Sequence, residues 1–393
     1  MHFRFKPGLL GKLAIAAVIG VACGFLLPAE GIRALNTFKD IFGQFVKFLV
    51  PLIIIGFVTP AIAETGKSAG RLLLLTTAVA YASTLFAGAF AFFTGRVVFP
   101  AILTGASAVA GEAKTFAPFF TLKIPPVADV VTTLAIAFTF GIGIAAVKAD
   151  AVFKAFRQVR SVVAHAIEHS FVPLLPVYIM AVVAELAASG RLSSIAGPCV
   201  KIMCVCTAFT VAILLVQYTI AGIIARRNPL SALKTMLPAY FTGWGSCSSA
   251  ATLPVTLRQT KANGVSESTA DLVIPLCANI HLAGSMSNMV AYAMGLIVLA
   301  GEPISGGAFL EYILMMSIIA VASPGVPGGC VLAAAPLVEN ILGFTPDRYA
   351  LMVAIYMALD GMGTACNLTG DGAIAIVVDR FNPKNHVART ADT

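Results

Sequence analysis

The sequence predicts an all-α integral membrane protein that crosses the bilayer many times. The 393 residues are 59% hydrophobic and only 11% charged, where a water-soluble domain carries about a quarter charged residues. The mean hydropathy is +0.92. Apolar runs long enough to span a bilayer recur along the chain, separated by short polar or basic segments. The formal net charge of +8 is therefore not a nucleic-acid signal. The basic residues gather in short loops and tails, and the positive-inside rule then places both termini in the cytoplasm.

A short basic segment (2–12) leads into the first span, residues 9–27, which is long enough to stay in the membrane and is not a cleaved signal. Span two covers 41–62, a loop over 64–71 returns inside, and span three covers 72–93. Residues 100–126, rich in Gly, Ala, Pro and Thr, read as an outer loop. Span four is 127–147, followed by a basic turn at 148–160. Span five, 167–187, should bend at Pro173 and Pro176, and span six is 201–224. The eight cysteines lie mostly in apolar runs without CxxC spacing and read as small buried hydrophobes.

Beyond Pro229 the pattern changes to apolar runs too short to cross. Arms at 237–244 and 250–257 flank GWGSCSSA (243–250), and arms at 312–322 and 330–342 flank SPGVPGG (323–329). Two prolines and three glycines in seven residues exclude a straight helix there. The two pairs read as re-entrant helical hairpins whose tips meet in mid-membrane from opposite sides, tolerable only where buried or lining a cavity. Between them, span seven (271–300) is broken at NIHLAGS, 279–285. Broken helices and opposed repeats are the usual architecture of a secondary transporter's binding site.

Span eight, 356–380, carries Asp360, Asn367 and Asp371 in an otherwise apolar run. At 100° per residue, Asn367 and Asp371 fall about 20° to either side of Asp360, and Thr364 about 40° away. Carboxylates in hydrocarbon are costly, and no lysine or arginine within the run neutralises them before Arg380, so the stripe marks a site. Asp360 can accept from an ammonium group, and Asn367 can donate to a carboxylate. Hydroxyls of Ser248 and Ser249 beside one tip, and the backbone of Val326, Pro327 and Gly328 at the other, complete a pocket for a zwitterion. Asp371 offers hard oxygen to Na⁺, with carbonyls freed at the break as partners. His281 is either a proton-coupling group or a neutral hydrogen-bonder that orients the break.

These segments resemble the dicarboxylate/amino acid:cation symporter family, the glutamate-transporter-like carriers. The matching stretches are SSAATLPVT (248–256), IPLCANIHLAG (274–284), PGVPGG (324–329) and LDGMGTACNLTGD (359–371). The resemblance implies eight transmembrane helices plus two re-entrant hairpins in inverted repeats, working as an elevator within a homotrimer in a bacterial inner membrane. The scaffold would comprise residues 1–71 (helices 1 and 2) and 99–200 (helices 4 and 5). The transport domain would comprise 72–98 (helix 3) and 201–380, with 381–393 a cytoplasmic tail. Asp360 matches the family's amino-group ligand, Asn367 the ligand of the substrate α-carboxylate, and Ser248 and Ser249 the hairpin-one tip. Sodium ligands would come from Asp371, Asn367, Cys277 and His281, with Tyr81 and Thr84 matching a further site.

Three departures shape the expected specificity. Gly363 stands where acidic-substrate members have arginine, so a second carboxylate would lack its partner. The family's NMDGT is here HLAGS, placing His281 and Ala283 at its asparagine and aspartate, which implies fewer coupled sodium ions. Pro324 stands in hairpin two where a small non-proline residue is usual. The chain therefore looks closer to the bacterial serine/threonine members, taking up a small neutral amino acid with Na⁺ and needing no organic cofactor. Alternatives are an acidic-substrate carrier, with Lys201 or Arg258 replacing the missing cation, a proton-driven carrier using His281, or a channel. The absence of a nucleophile–base pair argues against an enzyme.

Overall fold

The computed structural model describes residues 9–67, 71–103, 116–321 and 328–382, which form helices and connections with no strand among them. Helix boundaries follow local chemistry. Asp129 accepts from the Thr132 N–H and starts α4, Val130–Val147, which ends at left-handed Lys148. Asn228 and Pro229 start α8, Pro229–Ser246, and Thr345 and Pro346 start α14, Pro346–Arg380. The remaining helices are α1 (Leu9–Leu26), α2 (Ala29–Lys67), α3 (Arg71–Leu103), α5 (Asp150–Ala166), α6 (Val172–Ala188), α7 (Leu192–Ala225), α9 (Ser249–Ala262), α10 (Glu267–Ile280), α11 (Ala283–Leu299), α12 (Gly306–Val321) and α13 (Gly329–Asn340).

Six segments are long and apolar enough to cross a membrane: Ala29–Pro60, Leu72–Leu103, Asp150–Ala188, Leu192–Ala225, Glu267–Leu299 and Pro346–Arg380. The molecule is an all-α, multi-spanning membrane protein. Two of the six lie at its centre: the most apolar windows of Glu267–Leu299 and Pro346–Arg380 are 89% and 78% buried, against 33–50% for the other four. The polar stripe of α14 is thus enclosed by protein and does not face lipid.

Several sequence-derived boundaries need correction. Helix three does not stop at 93 or 98 but runs through Pro100 to Leu103, and helix six begins at Leu192, well before 201. Pro100 and Pro198 sit inside these helices, and neither ends them. The stretch 148–160 is not a turn. Its Phe153, Phe156 and Val163 recur at helical spacing on the inward side while Lys154 and Arg157 stay exposed, and from Asp150 onward it is the amphipathic α5. A π-turn, Ile167–Phe171, joins α5 to α6 just before Pro173, whose missing N–H cannot sustain the regular ladder.

The break in span seven is real. The α10 helix ends at Ile280, and His281 and Leu282 leave helical geometry before α11 begins. Helices α8 and α9 pack together around Cys247 and Ser248 as a helical hairpin, and α12 packs on α13 as a second one. The α1 helix packs on α6, and α2 packs on α4, α5 and α6; α14 packs on α7, α8, α10 and α11, and α3 on α11. From α2, Lys39 pairs with Glu185 of α6 within the first group and with Asp347 of α14 in the second at 2.9 Å, and Lys47 pairs with Glu339 of α13 at 2.9 Å.

Candidate functional site

The α14 stripe meets three different partners along its length. Asp360, 5% exposed, lies between the two hairpins. Gly328, at φ +79°, donates its N–H to Asp360 Oδ2 at 2.9 Å, and the Tyr356 side chain lies near the same carboxylate from one turn earlier. From hairpin one, Trp244 and Cys247 abut the neighbouring Gly361, where an added Cβ would lie 2.3 Å from the Trp244 carbonyl oxygen. Within the tip, Ser248 caps α9 by accepting from the Ala251 N–H at 3.3 Å, and Ser249 is the first residue of that helix. Val326 and Pro327, together with Pro324, lie outside the described residues.

One and a half to two turns on, Asn367 holds the start of α11. Its Oδ1 accepts from the N–H groups of Gly284 (2.8 Å) and Ser285 (3.2 Å), and its Nδ2 donates to Ser285 Oγ at 2.9 Å. The residue preceding α11, Leu282, provides no side-chain cap, so the amide from α14 satisfies donors that helix starts leave free. This requires close approach: a Cβ on Gly284 would sit 2.5 Å from Cys366 Cβ and 2.7 Å from the Gly363 carbonyl oxygen. Thr364 is buried on the same face, whereas Cys366 turns its thiol to the Thr210 carbonyl of α7.

At the third level, Asp371 and His281 are fully buried and joined, with His281 Nδ1 2.8 Å from Asp371 Oδ1. His281 Nε2 faces Ser83 Oγ at 3.1 Å and Gln217 Nε2 at 3.2 Å, and that Gln217 amide also donates to Ser83 Oγ at 2.8 Å. A neutral ring satisfies all four contacts: Nδ1–H donates to Asp371, and Nε2 accepts from the Ser83 hydroxyl and the Gln217 amide. Asp371 Oδ2 and Gln217 Oε1 are buried and left without hydrogen-bond partners. Asp371 Oδ2 is a hard anionic oxygen of the kind a monovalent cation takes.

The remaining sequence-derived candidates divide. Thr84 joins the break, accepting from the Leu282 N–H at 3.2 Å, and Tyr81 reaches Ser317 of α12 at 2.8 Å. Cys277 contributes its carbonyl to the His281 N–H at 2.8 Å and buries its thiol. Of the cations that could replace an arginine at Gly363, Lys201 is tied to the Ile102 carbonyl at 2.9 Å in an exposed setting. Arg258 stands nine residues into α9, roughly 13 Å along its axis from the tip. Neither side chain is hydrogen-bonded to the stripe. Sequence reasoning missed Ser83, Gln217 and Ser285; Gln217, an amide within an apolar span, was the detectable signal among them.

Residues 9–381 match the family described as the sodium:dicarboxylate symporter family. The serine/threonine transporter SstT of Acinetobacter baumannii (strain AYE) is 23% identical over 403 aligned residues, covering 98% of this chain and all of that protein. SstT of Streptococcus thermophilus (strain CNRZ 1066) is 23% identical, covering 95% of this chain and 96% of that one. Human excitatory amino acid transporter 2 is 29% identical over 157 residues, 40% of this chain and 27% of its own length. The chain belongs to the sodium:dicarboxylate symporter family and is a secondary transporter, not an enzyme.

Proposed function

We propose that this chain couples the uptake of a small neutral amino acid, serine or threonine first and alanine next, to the entry of Na⁺. The single observation that carries the choice of substrate is Gly363. Among the described residues, the face between Asp360 and Asn367 offers an amino-group ligand and a carboxylate-side amide, with no lysine or arginine hydrogen-bonded to it for a second carboxylate. The SstT relatives, named for serine and threonine transport, align over nearly the whole chain, which supports the same choice.

Transport would proceed by alternating access. The substrate amino group would displace the Gly328 N–H from Asp360, so binding and the position of hairpin two are linked through one carboxylate. The arms α9, α12 and α13 contain 14, 16 and 12 residues, about 18–24 Å of helix and short of the ~30 Å hydrocarbon core, which supports re-entry over crossing. With α1, α2, α3, α4, α5–α6, α7, α10–α11 and α14 as spans, this makes eight membrane helices plus two hairpins. The scaffold would be α1, α2 and α4–α6, and α3 and α7–α14 would move. Three copies in a bacterial inner membrane, both termini cytoplasmic, complete the proposal.

The His281–Asp371 pair favours a second reading for the coupling ion. Turning the Gln217 amide over would set Oε1 against Nε2 and call for a second ring proton, so the site accommodates His281 neutral or charged. A proton would then replace Na⁺. The test is ligand-induced thermal stabilisation of the purified protein by serine, threonine, alanine, aspartate and glutamate, with Na⁺ and with choline in its place. Stabilisation by serine or threonine only in Na⁺ is expected. Stabilisation by aspartate overturns the Gly363 argument, and stabilisation by serine equally in choline transfers coupling to His281.

A further inference from the structure

The α14 stripe is faced across the helix crossing by a stripe on α11: Ser285, Asn288 and Tyr292, at i, i+3 and i+7. Ser285 meets Asn367, and the Tyr292 ring packs edge-on against Tyr356, one turn before Asp360, with centroids 6.2 Å apart. Asn288 lies between them, opposite Gly363. A Cβ at Gly363 would stand 3.3 Å from Asn288 Nδ2 and 3.5 Å from Ser285 Oγ. Ser285 Oγ already accepts from Asn367. Asn288 is only 2% exposed, yet its Oδ1 has no hydrogen-bond partner. A buried, unsatisfied amide oxygen is costly and calls for a donor.

We propose that Asn288 is the specificity residue that recognises the side-chain hydroxyl of the transported amino acid. The inference rests on the neutral-amino-acid function proposed above and narrows its substrate to the β-hydroxy class. Substrate amino and carboxylate groups held at Asp360 and Asn367 direct the side chain toward Gly363, and the Asn288 amide lies against that position with its oxygen unpartnered. An alcohol matches an amide edge in both senses, donating to Oδ1 and accepting from Nδ2. Alanine does neither and leaves the amide unpaired. A carboxylate has no proton for Oδ1 and sets like partial charges against each other. Asn288 thereby ranks serine and threonine above alanine, and it adds a second reason, beyond the absent arginine, for rejecting acidic substrates.

The test is competition binding to the purified full chain in Na⁺ with serine, alanine and 3-fluoroalanine, which is close to serine in size but has no proton to donate. The wild type should prefer serine to both by about 10-fold. In Asn288→Leu, and in Asn288→Ala as a second variant, serine should fall to the level of alanine while alanine changes by less than about twofold. A folded variant that keeps its serine preference overturns the assignment. So does a wild type that binds 3-fluoroalanine or alanine as tightly as serine, which needs no variant to fold. A wild type that binds no neutral amino acid overturns the underlying functional proposal, and the inference with it.

Discussion

Asn367 has two roles that substitution can separate. In the structure its Oδ1 accepts from two backbone N–H groups of α11 and its Nδ2 holds Ser285. In the proposed function the same amide lies beside the substrate carboxylate. Asn367→Leu orphans two buried N–H groups at the start of α11; at about 1–3 kcal/mol each, the loss is roughly 2–6 kcal/mol. The midpoint of thermal unfolding should drop by several degrees. Asn367→Asp retains an acceptor for both N–H groups, at the positive end of the α11 dipole, and should stay near wild-type stability. It nevertheless sets a carboxylate against the substrate carboxylate, and serine binding should weaken by about 100-fold or more. The assay is a melting curve and a serine titration on each variant in the same detergent. A Leu variant as stable as wild type refutes the capping role, and an Asp variant that binds serine normally refutes the placement of the substrate.

Three further outcomes follow from the geometry. Asp371→Asn removes the anionic oxygen left unpartnered beside His281, and the Na⁺ concentration for half-maximal serine binding should rise at least 10-fold, read by titration at fixed serine. If α13 moves past α2, Cys residues replacing Lys47 and Glu339, in a chain otherwise free of the eight native cysteines, should stop uptake when bridged by a short thiol reagent; unchanged uptake with complete bridging contradicts the elevator. Glu302, outside the spans, is held below the usual carboxylate value of 4.5 by the Arg348 guanidinium beside it. A lowered carboxylate stabilises the fold at pH above its unfolded value, and that contribution disappears as pH falls through the folded one, so a small loss of melting temperature below about pH 4.5 should be absent in Glu302→Gln.

The polar skeleton of the site was legible because carboxylates, an amide and a histidine inside apolar runs are visible against their background. The stripe Asp360–Asn367–Asp371 and the break before Ala283 both follow from that contrast, and Pro and Gly marked the hairpins. What the stripe touches was not legible. That Asn367 would cap α11 depends on a helix crossing at Gly284 that no periodicity encodes. Ser83 and Gln217 sit in long apolar helices whose inward face shows only once α3 and α7 pack around His281. Helix ends failed where proline was taken as a stop, at Pro100, and where basic residues were taken as a loop, at Lys154 and Arg157.

Uptake of labelled serine into proteoliposomes of the purified chain, with an inward Na⁺ gradient, an inward proton gradient or neither, and with unlabelled aspartate as competitor, joins substrate to coupling ion in one experiment. Accumulation driven by the Na⁺ gradient and untouched by aspartate is the predicted result. Accumulation that aspartate abolishes, or that runs on the proton gradient alone, would contradict it.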